Sequence, residues 1–147
     1  MTRENKELLL KDLSARLPYN TIVQIKNSGI WNLKGVEQDK IDEIGYKVIV
    51  WHGKNYPSSK TSFPISICKP YLFPLSSMNE EQREELKQRG WYFDCFEIYN
   101  VDNHGYREAI SHEDCFDLID WFNKNHFDYR GLIEKGLALD ATNLNIY

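Results

Sequence analysis

The chain has 147 residues, of which 41% are hydrophobic, 14% aromatic and 27% charged, a balance that excludes a disordered polymer and suits one domain with its own core. No run approaches the roughly 20 apolar residues of a membrane helix, and the start lacks the apolar centre and small-residue cleavage site of a secretory signal. The three cysteines (Cys68, Cys95 and Cys115) are far apart and form no CxxC pair, so reduced thiols in a cytoplasmic protein are expected rather than a disulfide framework.

Leu9, Leu10, Leu13 and Leu17 recur at helical spacing and predict a helix over residues 3–17. Thr2 suits its N-cap, Arg16 lies near its negative end, and Pro18 stops it. The period then drops to two. Val23 and Ile25 predict a strand, Asn27-Ser28-Gly29 a turn, and residues 30–36 a returning strand. Residues 46–51 give the clearest alternation, with Tyr46, Val48 and Val50 on one face and Ile49 and Trp51 on the other. Phe63, Ile65 and Ile67 alternate again, and Pro64 assigns that strand to a sheet edge. Short strands at this spacing predict a small antiparallel SH3-like barrel or a curved sheet over about residues 19–74.

Residues 75–147 are expected to form an α/β portion packed on the barrel within one domain spanning 1–147. Ser77, with Glu80 three residues on, predicts a capping box for a surface helix that ends at Gly90. Residues 91–101 read mostly as strand, and Asp102-Asn103-His104-Gly105 as a turn. Ser111 caps a further helix whose buried face is Cys115, Leu118, Ile119 and Phe122, and a short helical turn over 130–135 ends at Gly136. Trp121, Phe122, Phe127, Leu132 and Ile133 are expected in one cluster holding the tail. This portion is acidic: residues 79–147 carry 7 Lys/Arg against 15 Asp/Glu, whereas residues 1–78 carry 11 against 7. Two unequal solvated faces explain that division without any function, while an interaction face is the sharper reading.

Chemical motifs are sparse. His104, His112, Asp114 and Cys115 lie close together, but no second ligand pair accompanies them, so no metal is expected and Cys115 reads as a core residue. Acidic neighbours of Cys95 and Cys115 would raise a thiol pKa, which argues against a cysteine nucleophile. No phosphate-binding loop is present, and no cofactor is expected. The candidate binding residues are Trp31, Trp51, His52, Lys54 and Tyr56, with Lys60 nearby, because aromatic and basic side chains interleave at strand ends. Such a set either anchors a protein partner or stacks bases and contacts phosphate.

The run from Asp120 through Phe127-Asp128-Tyr129-Arg130-Gly131-Leu132-Ile133-Glu134-Lys135-Gly136-Leu137-Ala138-Leu139-Asp140-Ala141 resembles the C-terminal signature of a family of small proteins from gut Bacteroides, their phages and mobile elements. The stretch from Lys69 to Met78 and the opening from Leu8 to Pro18 resemble that family as well. The resemblance implies a phage or mobile-element setting and transfers no catalytic residue. The expected role is a non-enzymatic accessory protein that binds another protein, a host-defence component being one candidate. A nucleic-acid-binding module using the aromatic and basic residues of the barrel is the alternative, and an enzyme without a recognisable motif the third reading.

Overall fold

A computed structural model describes residues 1–38, 45–51, 60–93, 98–101, 104, 107–108 and 112–147 of the chain. Its first helix, α1, spans Arg3–Ala15 and is capped by Thr2, whose hydroxyl accepts the Asn5 N–H at 3.2 Å. Leu9 and Leu13 are fully buried, and Leu10 and Leu17 pack partly against the same core. The helix closes two residues earlier than the leucine spacing predicts. Leu17 precedes a proline, which disfavours α geometry there, and Leu17–Tyr19 forms a 3-10 turn.

Four antiparallel strands follow as a meander: β1 (Ile22–Ile25), β2 (Gly29–Gln38), β3 (Tyr46–Trp51) and β4 (Lys60–Pro64). A 3-10 turn, Ile65–Ile67, leads into β5 (Cys68–Leu72), which pairs antiparallel with β1. The alternation read from the sequence holds at Val23, Ile25, Val48 and Val50, all fully buried on antiparallel strands, but not past Phe63, since Ile65 and Ile67 lie in the 3-10 turn that follows Pro64. Asn27 and Gly29 take positive φ to make the β1–β2 turn. Between Leu33 and Gly35 the pairing of β2 with β3 shifts by one residue, a bulge that breaks strict alternation. A Cβ at Gly35 would stand 3.1 Å from the Ile49 side chain, which would have to give by a few tenths of an ångström.

The helix expected from a Ser77 cap starts later. Ser77 lies in a 3-10 turn, and its hydroxyl donates to the Pro74 carbonyl at 2.7 Å, so it is not available to cap. Helix α2 (Glu80–Gln88) is capped instead by Asn79, in a reciprocal box with Gln82. Leu86 is its one buried residue, and Gly90, at φ 86°, closes it. The single strand expected over 91–101 is two: β6 (Trp91–Phe93) and β7 (Ile98–Val101) pair antiparallel, and β8 (Arg107–Glu108) joins β7. Cys95 and Ser111 lie outside the described residues.

Helix α3 (His112–Lys124) ends in a Schellman motif built without glycine. His126 adopts φ 58°, its N–H bonds the Asn123 carbonyl, and the Phe127 N–H reaches back to the Phe122 carbonyl at 2.9 Å. The rings of Phe122 and Phe127 meet edge to face, supplying the apolar contact of that motif. The chain is then stitched to the end of β5: the Phe73 N–H bonds the His126 carbonyl, and the Asp128 N–H bonds the Phe73 carbonyl. Asp128 is buried, and its carboxylate accepts the N–H groups of Leu132 and Ile133 at 2.8 and 2.7 Å. The turn that follows forms no helix, and a second Schellman pair closes it at Gly136, φ 67°.

Finally β9 (Leu139–Asp140) runs parallel to β5 and completes an open six-stranded mixed sheet in the order β4-β3-β2-β1-β5-β9. Pro64 therefore does sit on an edge strand. The protein is α+β, with two apolar clusters among the described residues rather than the one expected around the tail. Leu132 and Ile133 join the core between α1 and the sheet, while Trp121, Phe122 and Phe127 pack with Met78, Leu86 and Trp91. The division arises because the chain turns through Asp128 and presents successive residues to different layers. No helix among the described residues is long and apolar enough to cross a membrane.

Candidate functional site

A groove of about 570 Å³ opens where the 3-10 turn after α1, the first three strands and the C-terminal segment meet. The sheet supplies a row across three strands, since Ile22 pairs with Asn32 and Asn32 with Trp51. Lys34 projects from the bulged part of β2. Its ammonium donates to the Asn20 side-chain carbonyl at 3.0 Å and lies 5.6 Å from the centre of the Trp51 ring, a cation–π contact. Asn20 is held at φ 52°, a conformation asparagine tolerates better than most residues. Tyr19 lines the rim and donates its hydroxyl to Asp120 on α3.

His126 and Tyr147 form the opposite wall, with their rings stacked at 3.7 Å between centres and 12° between planes. The Tyr147 hydroxyl donates to the Tyr71 carbonyl at 2.6 Å and accepts the Ile22 N–H at 3.3 Å, so it bridges β1 and β5 just past their last pair. Burial in the wall pushes the Tyr147 pKa above its ordinary value. Burial and the nearby Arg16 charge lower that of His126 to about 4, which keeps the imidazole neutral near pH 7. Its Nδ1 is buried without a hydrogen-bond partner.

Behind this wall lies a fully buried ion pair. The Arg16 Nε and Nη2 groups donate to the two Asp12 carboxylate oxygens at 2.8 and 3.1 Å, and Nη2 also donates to the Phe127 carbonyl at 2.7 Å. Arg130 Nε stands 3.4 Å from the same carboxylate, too poorly aligned for a hydrogen bond, and both guanidinium groups flank the Tyr129 ring. Two cations thus share one anion, and Arg16 Nη1 is left without a partner.

Of the candidate residues read from the sequence, Trp51 lines this groove and Trp31 does not. Trp31 packs against the core cluster, meets Phe63 edge-on at 5.6 Å and donates its indole N–H to the Ser28 carbonyl. His52, Lys54 and Tyr56 lie outside the described residues, as does the side chain of Lys60. The sequence reading missed Asn20, Asn32, Lys34, His126 and Tyr147, none of which carries a local motif. Cys68 is buried, which pushes its thiol up to about 12, so a thiolate there is strongly disfavoured at neutral pH. Cys115 is half-buried rather than a core residue, because residues 115–120 of α3 are less covered than the Trp121–Phe122 end. Among the described residues no group of three or more His, Cys, Asp or Glu side chains converges as a metal site would require. No protein-family model, curated protein or solved structure matches the chain.

Proposed function

We propose that this chain is a non-enzymatic binding protein, an accessory of a phage or mobile element that acts by holding another protein through the groove beside Trp51. The observation that carries the reading is the lining: Trp51, Tyr19 and Tyr147 offer rings around a concavity of about 570 Å³, within the range of pockets that enclose a ligand. Rigid aromatic side chains are the usual anchors of protein interfaces. The succession of a four-strand meander, one 3-10 turn and a fifth strand beside the first supports an SH3-like architecture for residues 22–72. Barrels of that type take extended peptides across aromatic-lined grooves.

The nucleic-acid reading has less support. Binding of that kind draws its affinity from several phosphate contacts, and Lys34 is the one lysine or arginine among the described residues of the lining. The test is capture from nuclease-treated lysate by immobilised wild-type and Trp51→Ala protein of equal thermal stability. A protein retained at moderate salt by the wild type and lost by Trp51→Ala supports the reading. Micromolar binding of labelled single-stranded DNA or RNA that collapses as salt rises would overturn it.

A further inference from the structure

Lys34 brings a full positive charge to the groove, and what it touches there is neutral. Its partners are the Asn20 carbonyl oxygen and the face of Trp51. Because that oxygen is occupied by the ammonium, the Asn20 Nδ2 group remains as a donor, and the Asn32 amide adds another donor to the same lining. No Asp or Glu side chain lines the groove among the described residues, and Asp120 beside it is engaged by the Tyr19 hydroxyl. The wall behind adds to the imbalance, with Arg16 and Arg130 sharing the single carboxylate of Asp12 and one Arg16 amino group unpaired. Amide donors, an aromatic platform and a positive charge with no carboxylate among the described lining residues are complementary to a side chain that ends in an anion.

Resting on the peptide-binding reading above, we infer that the segment taken by the groove is acidic, an aspartate or glutamate whose carboxylate meets Lys34, Asn20 and Asn32 while a neighbouring apolar side chain packs on Trp51. One ammonium and two amides match a monoanion. A phosphate dianion is ordinarily met by several arginines or by a run of backbone N–H groups, and the described lining has neither. The carboxylate desolvates little, because the groove is open to water, so the pairing sets orientation and choice of partner more than raw affinity.

The probes are fluorescein-labelled heptapeptides with a central Leu-Asp or Leu-Glu, matched Leu-Asn and Leu-Gln peptides, and a phosphoserine version. Each is titrated against the full chain by anisotropy, with the Trp51 indole N–H followed by NMR. The acidic peptides should bind at least tenfold more tightly than their amide counterparts and shift the Trp51 signal. Lys34→Gln should erase that difference and Lys34→Arg should keep most of it, with unchanged thermal melting in both. Equal binding of acidic and amide peptides, preference for phosphoserine, or no binding by any peptide would overturn the inference. Lysate capture that needs Trp51 but survives Lys34→Gln would also sink it while leaving the protein-binding reading intact, whereas capture indifferent to Trp51 would sink that reading itself.

Discussion

Helix α1 contains its own control experiment for the energetics of charge burial. Arg3–Glu7 and Asp12–Arg16 are both four residues apart on one helix and both close to 2.8 Å, but the first pair is 73% and 55% exposed and the second 0% and 0%. Asp12→Asn keeps the shape and one acceptor oxygen while removing the carboxylate charge that Arg16 and Arg130 share. Breaking a buried pair by neutralising one partner costs about 3–5 kcal/mol, because the other charge is left in a dry interior. For a domain of this size that corresponds to a fall in Tm of about 6–20 °C, and to a large share of the roughly 5–15 kcal/mol that holds a domain together. Glu7→Gln removes a charge of the same geometry that water already screens, and should leave the midpoint unchanged. The assay is urea unfolding and calorimetry of both variants beside wild type. Shifts of equal size would refute the argument that burial, not distance, sets the value of the pair.

Acidification should destabilise the fold through His126. Its native pKa near 4 lies below the ordinary 6.5, so the unfolded chain takes up the proton first; stability is complete above pH 6.5 and falls as pH drops toward 4, by about 2–3 kcal/mol. Urea unfolding at pH 7.5 and 4.5 should show this loss, and His126→Asn, which tolerates positive φ, should lose less over the same interval; identical slopes would rule out His126 as the source. In a Cys95→Ser background, a thiol reagent should modify half-buried Cys115 in the native protein and reach Cys68 only on unfolding, as read by mass spectrometry. Rapid native labelling of Cys68 would show that the sheet core opens readily.

The strands of the sheet were legible because burial on one face imposes a period of two, and Val23, Ile25, Val48 and Val50 keep it. Thr2, Gly90 and Pro64 were legible because a cap, a left-handed residue and a missing donor act locally. The buried ion pair was not. On sequence, Asp12 and Arg16 look like Arg3 and Glu7, and only the return of Phe127 and Arg130 more than a hundred residues later decides which pair goes inside. The left-handed turn after α3 was not legible for a related reason, since His126 takes the place glycine usually holds and is kept there by the Phe122–Phe127 contact and the bridge to Phe73. Trp31 and Trp51 are alike by composition, and only the pairing of β2 with its two neighbours sets Trp31 against the core and Trp51, opposite Asn32, at the groove.

The parallel strand β9 gives the order of synthesis a physical meaning. Until Leu139 and Asp140 pair with Tyr71 and Leu72, and the Ala141 N–H reaches the Leu72 carbonyl, the outer edge of β5 is a row of unsatisfied backbone groups. Sixty-seven residues separate Leu72 from Leu139, so a ribosome adding 5–20 residues each second leaves that edge open for about 3–13 s. During this interval the nascent chain carries an apolar strand able to pair with another copy, and α2 and α3 emerge while it waits.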